Sequence, residues 1–128
     1  MTKKILVVED DAALRKVLQD RFLNEGLTVL EAENGEVGLT VALREMPQLI
    51  LLDLLMPKMD GMTMLKKLRE SGNYGKTVRV IVLTNLDAND KIIQNVIQTQ
   101  PTYYLIKSNV KLEEIIEKVK EVMSSIKE

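Results

Sequence analysis

The sequence predicts an α/β fold in which a parallel sheet is covered by helices on both faces. Three observations carry that prediction. Five short apolar or β-like runs alternate with amphipathic stretches along the whole chain, with no internal repeat, linker or low-complexity tail. Such alternation requires crossover connections, and those pack helices onto a parallel sheet. The third run, Leu49 to Leu52, is apolar at every position and ends at once in Asp53. An unbroken apolar run is the pattern of a strand buried on both faces.

Taken in order, Ile5-Leu6-Val7-Val8 reads as a first buried strand. Ala12 to Asn24 follows as a helix with Asp11 as N-cap, and Leu14, Val17, Leu18 and Phe22 share its inner face. Gly26 ends that helix, and Thr28 to Glu31 is a shorter, more polar strand that suits a sheet edge. Asn34-Gly35 opens a second helix that runs to about Met46 and stops at Pro47. After the central strand, Pro57 and Asp60-Gly61 turn the chain, and Gly61 to Glu70 forms a third helix with Met64, Leu65 and Leu68 inward. Ser71 to Gly75 reads as a loop. Val78 to Leu83 is the fourth strand, ending at Thr84, and Ala88 to Thr99 is a fourth helix, with Ile92, Ile93, Val96 and Ile97 assigned to the core. Pro101 precedes a fifth strand, Tyr103 to Ile106. The last helix keeps its apolar spacing through Leu112, Ile115, Ile116, Val119, Val122, Met123 and Ile126.

Composition narrows the function. A chain of 128 residues, 45% hydrophobic and 29% charged, suits one domain over residues 1–128 with a single core. A net charge of −1, from 18 basic and 19 acidic residues, supplies no general basic field for nucleic acid or an anionic membrane. No apolar run is long enough to span a bilayer, and the N-terminus lacks the apolar core of a signal peptide, so a cytoplasmic location is expected. Cysteine and histidine are both absent. That excludes disulfides, thiolate nucleophiles, Cys/His metal sites and Ser-His triads. A metal here must be held by oxygen, which points to magnesium, calcium or manganese.

In a parallel sheet the carboxyl ends of all strands share one edge, where α/β folds place their sites. The first strand delivers Glu9, Asp10 and Asp11 to that edge, the third Asp53, the fourth Thr84 and the fifth Lys107. Taken singly, Asp11 is a helix cap, Thr84 a turn residue and Lys107 one surface lysine among many. Their convergence is what suggests chemistry. Gathered carboxylates repel, and a hard divalent cation relieves them. Asp53 then becomes a carboxylate nucleophile toward phosphorus, with magnesium and Lys107 neutralising the transferring group and the Thr84 hydroxyl donating to it.

Val8-Glu9-Asp10, Asp53 with Met56-Pro57 and Asp60-Gly61, Leu83-Thr84 and Tyr104-Leu105-Ile106-Lys107 together resemble the receiver domain of bacterial two-component response regulators, over the entire chain. The resemblance implies a flavodoxin-like, doubly wound three-layer α/β/α fold with strand order 2-1-3-4-5. It implies that a sensor histidine kinase phosphorylates Asp53, and that magnesium is held by Glu9, Asp10, Asp53 and the backbone carbonyl of Leu55. Thr84 and Lys107 would bind the phosphoryl group. Thr84 and Tyr104 would form a switch acting on a downstream protein through the face of the fourth helix, fifth strand and last helix. No catalysis is expected beyond the protein's own phosphorylation and dephosphorylation. Three positions depart from the usual pattern: Ser108 stands where the family commonly has proline, Asn85 where a small residue is usual, and Gln100-Pro101 where Gly-Ala is familiar. Leu55 and Leu86, two residues beyond Asp53 and Thr84, are apolar and disfavour an ordered attacking water, which implies slow autodephosphorylation.

The chain ends after its last helix, so the expectation is either a stand-alone receiver without an output domain or a piece of a longer regulator, monomeric or dimerising on phosphorylation. Two alternatives share the fold: a phosphorelay intermediate passing its phosphoryl group to a histidine phosphotransfer protein, and a docking module that works without phosphorylation. An aspartate-nucleophile phosphatase of the haloacid dehalogenase type needs a second acid where Leu55 stands. A phosphate-binding loop at Gly72 to Thr77 lacks its first glycine, since Glu70 occupies that place, and is followed by a strand.

Overall fold

The computed structural model describes residues 2–86 and 98–126. Its strands are β1 (Lys4–Val8), β2 (Thr28–Ala32), β3 (Leu49–Leu52), β4 (Arg79–Thr84) and β5 (Tyr103–Ile106). They form one sheet in the order β2-β1-β3-β4-β5, and every adjacent pair is parallel. The helices among the described residues are α1 (Ala12–Asn24), α2 (Gly35–Glu45), α3 (Gly61–Arg69), a short α4 (Gly72–Thr77) and α5 (Leu112–Ser125). The helix expected over 88–99, with its four apolar core positions, falls almost wholly outside the described residues.

Strand alternation divides the core into two layers. Leu6, Val8, Ile50, Leu52, Val80 and Val82 point to the side covered by α2 and α3, where Val41, Ala42, Met64, Leu65 and Leu68 are buried. Ile5, Val7, Leu49, Leu51, Ile81 and Leu83 point to the other side and meet Leu18 and Phe22 of α1 and Ile115, Ile116, Val119, Val122 and Met123 of α5. All four residues of β3 are buried because both of its faces are covered. β2 is partly exposed, as an edge strand should be.

Helix ends follow local chemistry. The Asp11 carboxylate accepts from the Ala13 and Leu14 amides at α1 (3.0 and 3.1 Å), Asn34 Oδ1 from Val37 at α2 (2.9 Å), and Asp60 from Thr63 at α3 (2.7 Å). Two expectations are corrected. Val17 is 42% exposed, because the inner face of α1 is narrow and centred on Leu18 and Phe22. The stretch read as a loop at Ser71 to Gly75 is mostly helical: after Gly72 at φ +91°, the chain winds into α4. The Tyr74 hydroxyl donates to the Pro47 carbonyl (2.6 Å), and Gly75 lies against Leu68, so tertiary packing overrides a glycine-rich composition.

Gly61 fixes how closely α3 approaches the end of β3. A Cβ at this position would strike the Asp53 carbonyl oxygen and come within 2.8 Å of Leu54 Cα, both of them backbone atoms. Gly26, at φ +82°, faces open space. Gly61→Ala is therefore expected to lower stability by about 3 kcal/mol through steric conflict, against about 1 kcal/mol of backbone strain for Gly26→Ala. Urea denaturation checks the order of the two, and equal losses would contradict it.

Candidate functional site

Parallel pairing sets the site. Val8 is in register with Leu52, and Leu52 with Val82, so the residues that follow these strands leave the sheet side by side. The Glu9 amide donates to the Ala32 carbonyl (3.0 Å) and the Asp53 amide to the Val8 carbonyl (3.0 Å), which extends the ladder to the two carboxylate-bearing residues. Both carboxylates are turned inward; only 3% of the Glu9 side chain and 5% of the Asp53 side chain is exposed.

Lys107, at the start of a 3₁₀ turn after β5, reaches across to them. Its Nζ donates to Asp53 Oδ2 at 2.8 Å and pairs with Glu9 Oε1 at 2.6 Å. The remaining oxygens are also engaged: Asp53 Oδ1 accepts from the Leu55 amide (3.2 Å) and Glu9 Oε2 from the Asp11 amide (3.2 Å). Ser108 in place of the family's usual proline does not keep Lys107 from this position.

The electrostatics follow from burial. Desolvation pushes the Glu9 carboxyl up to about 7; the Asp53 charge adds to that rise, and the hydrogen bond from Lys107 opposes it. Burial also opposes the Lys107 charge, but hydrogen bonds to Asp53 and Glu9, with their charges, outweigh it and hold the ammonium above its usual range.

Asp10 is exposed beside this pair, and one carboxylate oxygen from each of Glu9, Asp10 and Asp53 lies within 4.8 Å of the others. Magnesium is bound by hard oxygen donors, commonly one or two carboxylates together with waters. The three carboxylates would hold one ion between them. The donors are all hard oxygens, which suits that ion. Leu55 follows in the turn and is 51% exposed.

Thr84 ends β4 and is fully buried, with its Oγ1 accepting from the Leu86 amide at 3.5 Å. The Tyr104 hydroxyl donates to the Leu86 carbonyl at 3.3 Å. Leu86 thus links the two expected switch residues, a role the sequence did not suggest. Arg15 also escaped sequence reading. Its Nη1 donates to the Glu9 carbonyl (2.6 Å) and its Nε pairs with Glu31 (3.4 Å), fixing the backbone that aims Glu9 inward. An arginine on a helix after an acidic triplet looks like any solvated charge.

The shift at Glu9 has a signed consequence. A raised carboxyl means that the folded protein holds a proton the unfolded chain releases. The contribution is fully present below the unfolded value near 4.5 and is lost as pH rises through about 7. Metal-free protein is expected to lose stability across that window, and magnesium to restore it at the alkaline end. Thermal melts of wild type and Glu9→Gln check this; the variant loses most of the slope, and an unchanged slope contradicts the assignment.

Comparison with known proteins points the same way. A family model described as the response regulator receiver domain matches residues 5–120. Sporulation initiation phosphotransferase F of Bacillus subtilis is 36% identical over 92 residues, 72% of this chain and 72% of that protein. A probable transcriptional regulator, ycf27, of Porphyridium aerugineum is 41% identical over 91 residues, which is 70% of this chain and 36% of that protein. The chain spans about a third of the length of the ycf27 regulators it matches. Among solved structures, the REC domain of AraT, a response regulator from Geobacillus stearothermophilus, superposes with a TM-score of 0.81 at 31% identity, covering 97% of this chain and 95% of that one.

Proposed function

This chain belongs to the response regulator receiver domain family, and from that membership we propose that it accepts a phosphoryl group on Asp53 from the phosphohistidine of a sensor histidine kinase. One observation carries the reading: a buried Asp53 carboxylate is paired to Lys107 at 2.8 Å, beside two further carboxylates able to share a cation. In the transfer a carboxylate oxygen of Asp53 forms the new bond to phosphorus as the phosphorus–nitrogen bond of the donor imidazole breaks, and the leaving nitrogen keeps the bonding pair. Asp53 thereby becomes an acyl phosphate.

The chain's own residues divide the work. Glu9, Asp10 and Asp53, with the Leu55 backbone carbonyl, would hold magnesium. Bound there, the ion supplies the positive charge that lets phosphoryl oxygens approach an acidic site. Lys107 exchanges its bond to the free Asp53 carboxylate for one to the phosphoryl oxygens, and Thr84 donates its hydroxyl to another. As the Thr84 hydroxyl turns toward Asp53, its hydrogen bond from Leu86 is lost and Tyr104, bonded to the same residue, repositions. The output is read by a downstream protein on the surface of β5 and α5, in the cytoplasm. Phosphorylation adds about two negative charges, and the shift is as large as the difference in its binding between the two states.

A relay reading rests on its own observation. Leu55 is half-exposed beside Asp53, Leu86 is partly buried beside Thr84, and neither side chain can orient a water. A long-lived acyl phosphate suits transfer onward to a histidine phosphotransfer protein, and similarity to a protein named a phosphotransferase supports it.

Incubation with magnesium and acetyl phosphate, followed by intact mass spectrometry, tests the function. Wild type is expected to gain one phosphoryl group and Asp53→Asn none. Equal gain in both would remove Asp53 from the reaction. Leu55→Asn, by offering a polar group to the attacking water, is expected to shorten the lifetime of the phosphorylated form about tenfold. An unchanged or longer lifetime would contradict the role given to the two leucines.

A further inference from the structure

Arg69, the last residue of α3, spreads its guanidinium over four main-chain carbonyls. Its Nε donates to the Thr99 carbonyl (2.8 Å), Nη1 to the carbonyls of Gly75 (3.0 Å) and Val78 (2.6 Å), and Nη2 to that of Gln100 (3.3 Å). None of the ion pairs among the described residues includes it. Burial pulls its guanidinium below the usual range, so the charge is kept there at a cost.

What offsets that cost is the position of the carbonyls. Gly75 and Val78 belong to the end of α4, and Thr99 and Gln100 directly follow the helical Gln98. Carbonyls at helix C-termini lack intrahelical donors and carry the negative end of the helix dipole. A planar fork of five donors serves several such oxygens at once, which a lysine cannot do. One side chain therefore fastens α4 and the segment entering β5 to α3.

That segment has reason to move. Gln100 sits at φ +56°, a left-handed conformation costly for a residue with a side chain and more so before Pro101. It leads directly into β5, which carries Tyr104 and delivers Lys107. At its other end α3 is tied to the phosphorylation loop, through the Gly61 amide donating to the Leu54 carbonyl (3.1 Å). The same helix thus touches the Asp53 loop at its start and the root of β5 at its finish.

We propose that Arg69 is a positioning residue for the switch: by holding the carbonyls of Thr99 and Gln100, it keeps the root of β5 in the arrangement that belongs to a free Asp53 carboxylate, and its loss lets Tyr104 enter the activated environment without a phosphoryl group. This rests on the proposed movement of Tyr104. Arg69 touches neither Asp53 nor the carboxylates around it, so phosphoryl acceptance is left intact.

The test uses protein labelled with 3-fluorotyrosine, whose three ¹⁹F resonances are assigned by Tyr→Phe variants, before and after addition of magnesium and beryllofluoride. In wild type the Tyr104 resonance moves on addition. In Arg69→Met it is expected to start displaced roughly a fifth or more of the way toward that end point, with Asp53 labelled by acetyl phosphate as in wild type. Arg69→Lys, which keeps the charge but not the fork, is expected to fall between the two; it supplies the reading if the methionine variant does not fold. A Tyr104 resonance that starts at the wild-type position in the folded variants overturns the proposal. A wild-type Tyr104 that does not respond to beryllofluoride overturns the switch reading and this proposal with it.

Discussion

Two carboxylates buried side by side repel each other, and the Lys107 ammonium is what lets Glu9 and Asp53 share the edge of the sheet. Removing one partner from such a cluster typically costs about 3–5 kcal/mol, because the charge left behind stays buried and unpaired. Its bonds of 2.6 and 2.8 Å to the two acids therefore do more than mark a site. They orient Asp53, and they hold the turn after β5 against the ends of β1 and β3. Under the proposed transfer, the interaction that stabilises the resting state is the one the chemistry would consume, since a phosphoryl group on Asp53 would replace a carboxylate oxygen as the partner of Lys107.

The rest of the fold serves that cluster. Parallel pairing brings the strand ends together, and the two-layer core fixes the strands by burying alternate residues against α2 and α3 on one side and α1 and α5 on the other. Close approach is then set by backbone, as at Gly61, where any side chain would push α3 away from the Asp53 turn. Arg15 and Arg69 work outward from this frame, one holding the backbone behind Glu9 and the other the root of β5. Both act on main-chain carbonyls rather than on acids alone, which gives them a fixed geometry at a modest electrostatic cost.

Most of the sheet was legible in the sequence because its signals are local and redundant. The all-apolar β3, the polar β2 and the Asp11, Asn34 and Asp60 caps are written in single residue types at fixed spacing. The gathering of Glu9, Asp10, Asp53 and Lys107 was legible for a related reason: parallel topology turns a list of residues following each strand into a list of neighbours. What was not legible depends on tertiary partners. Ser71 to Gly75 reads as a loop from its glycines, yet α4 forms there because the Tyr74 hydroxyl reaches Pro47 and Gly75 packs against Leu68. Val17 keeps helical spacing with the core but falls at the margin of a narrow stripe. No pattern in sequence distinguishes Arg69, with four backbone carbonyls to hold, from the exposed Lys66 and Lys67 beside it.

The proposed function requires that the Asp53 carboxylate, and no other group, become the acyl phosphate. Borohydride reduction reads this directly, since it converts an aspartyl phosphate to homoserine and leaves free carboxylates untouched. After treatment with a phosphoryl donor and borohydride, peptide mapping is predicted to find homoserine at position 53 alone. Homoserine at position 10, or an unmodified Asp53 in protein that carries phosphate, would contradict it.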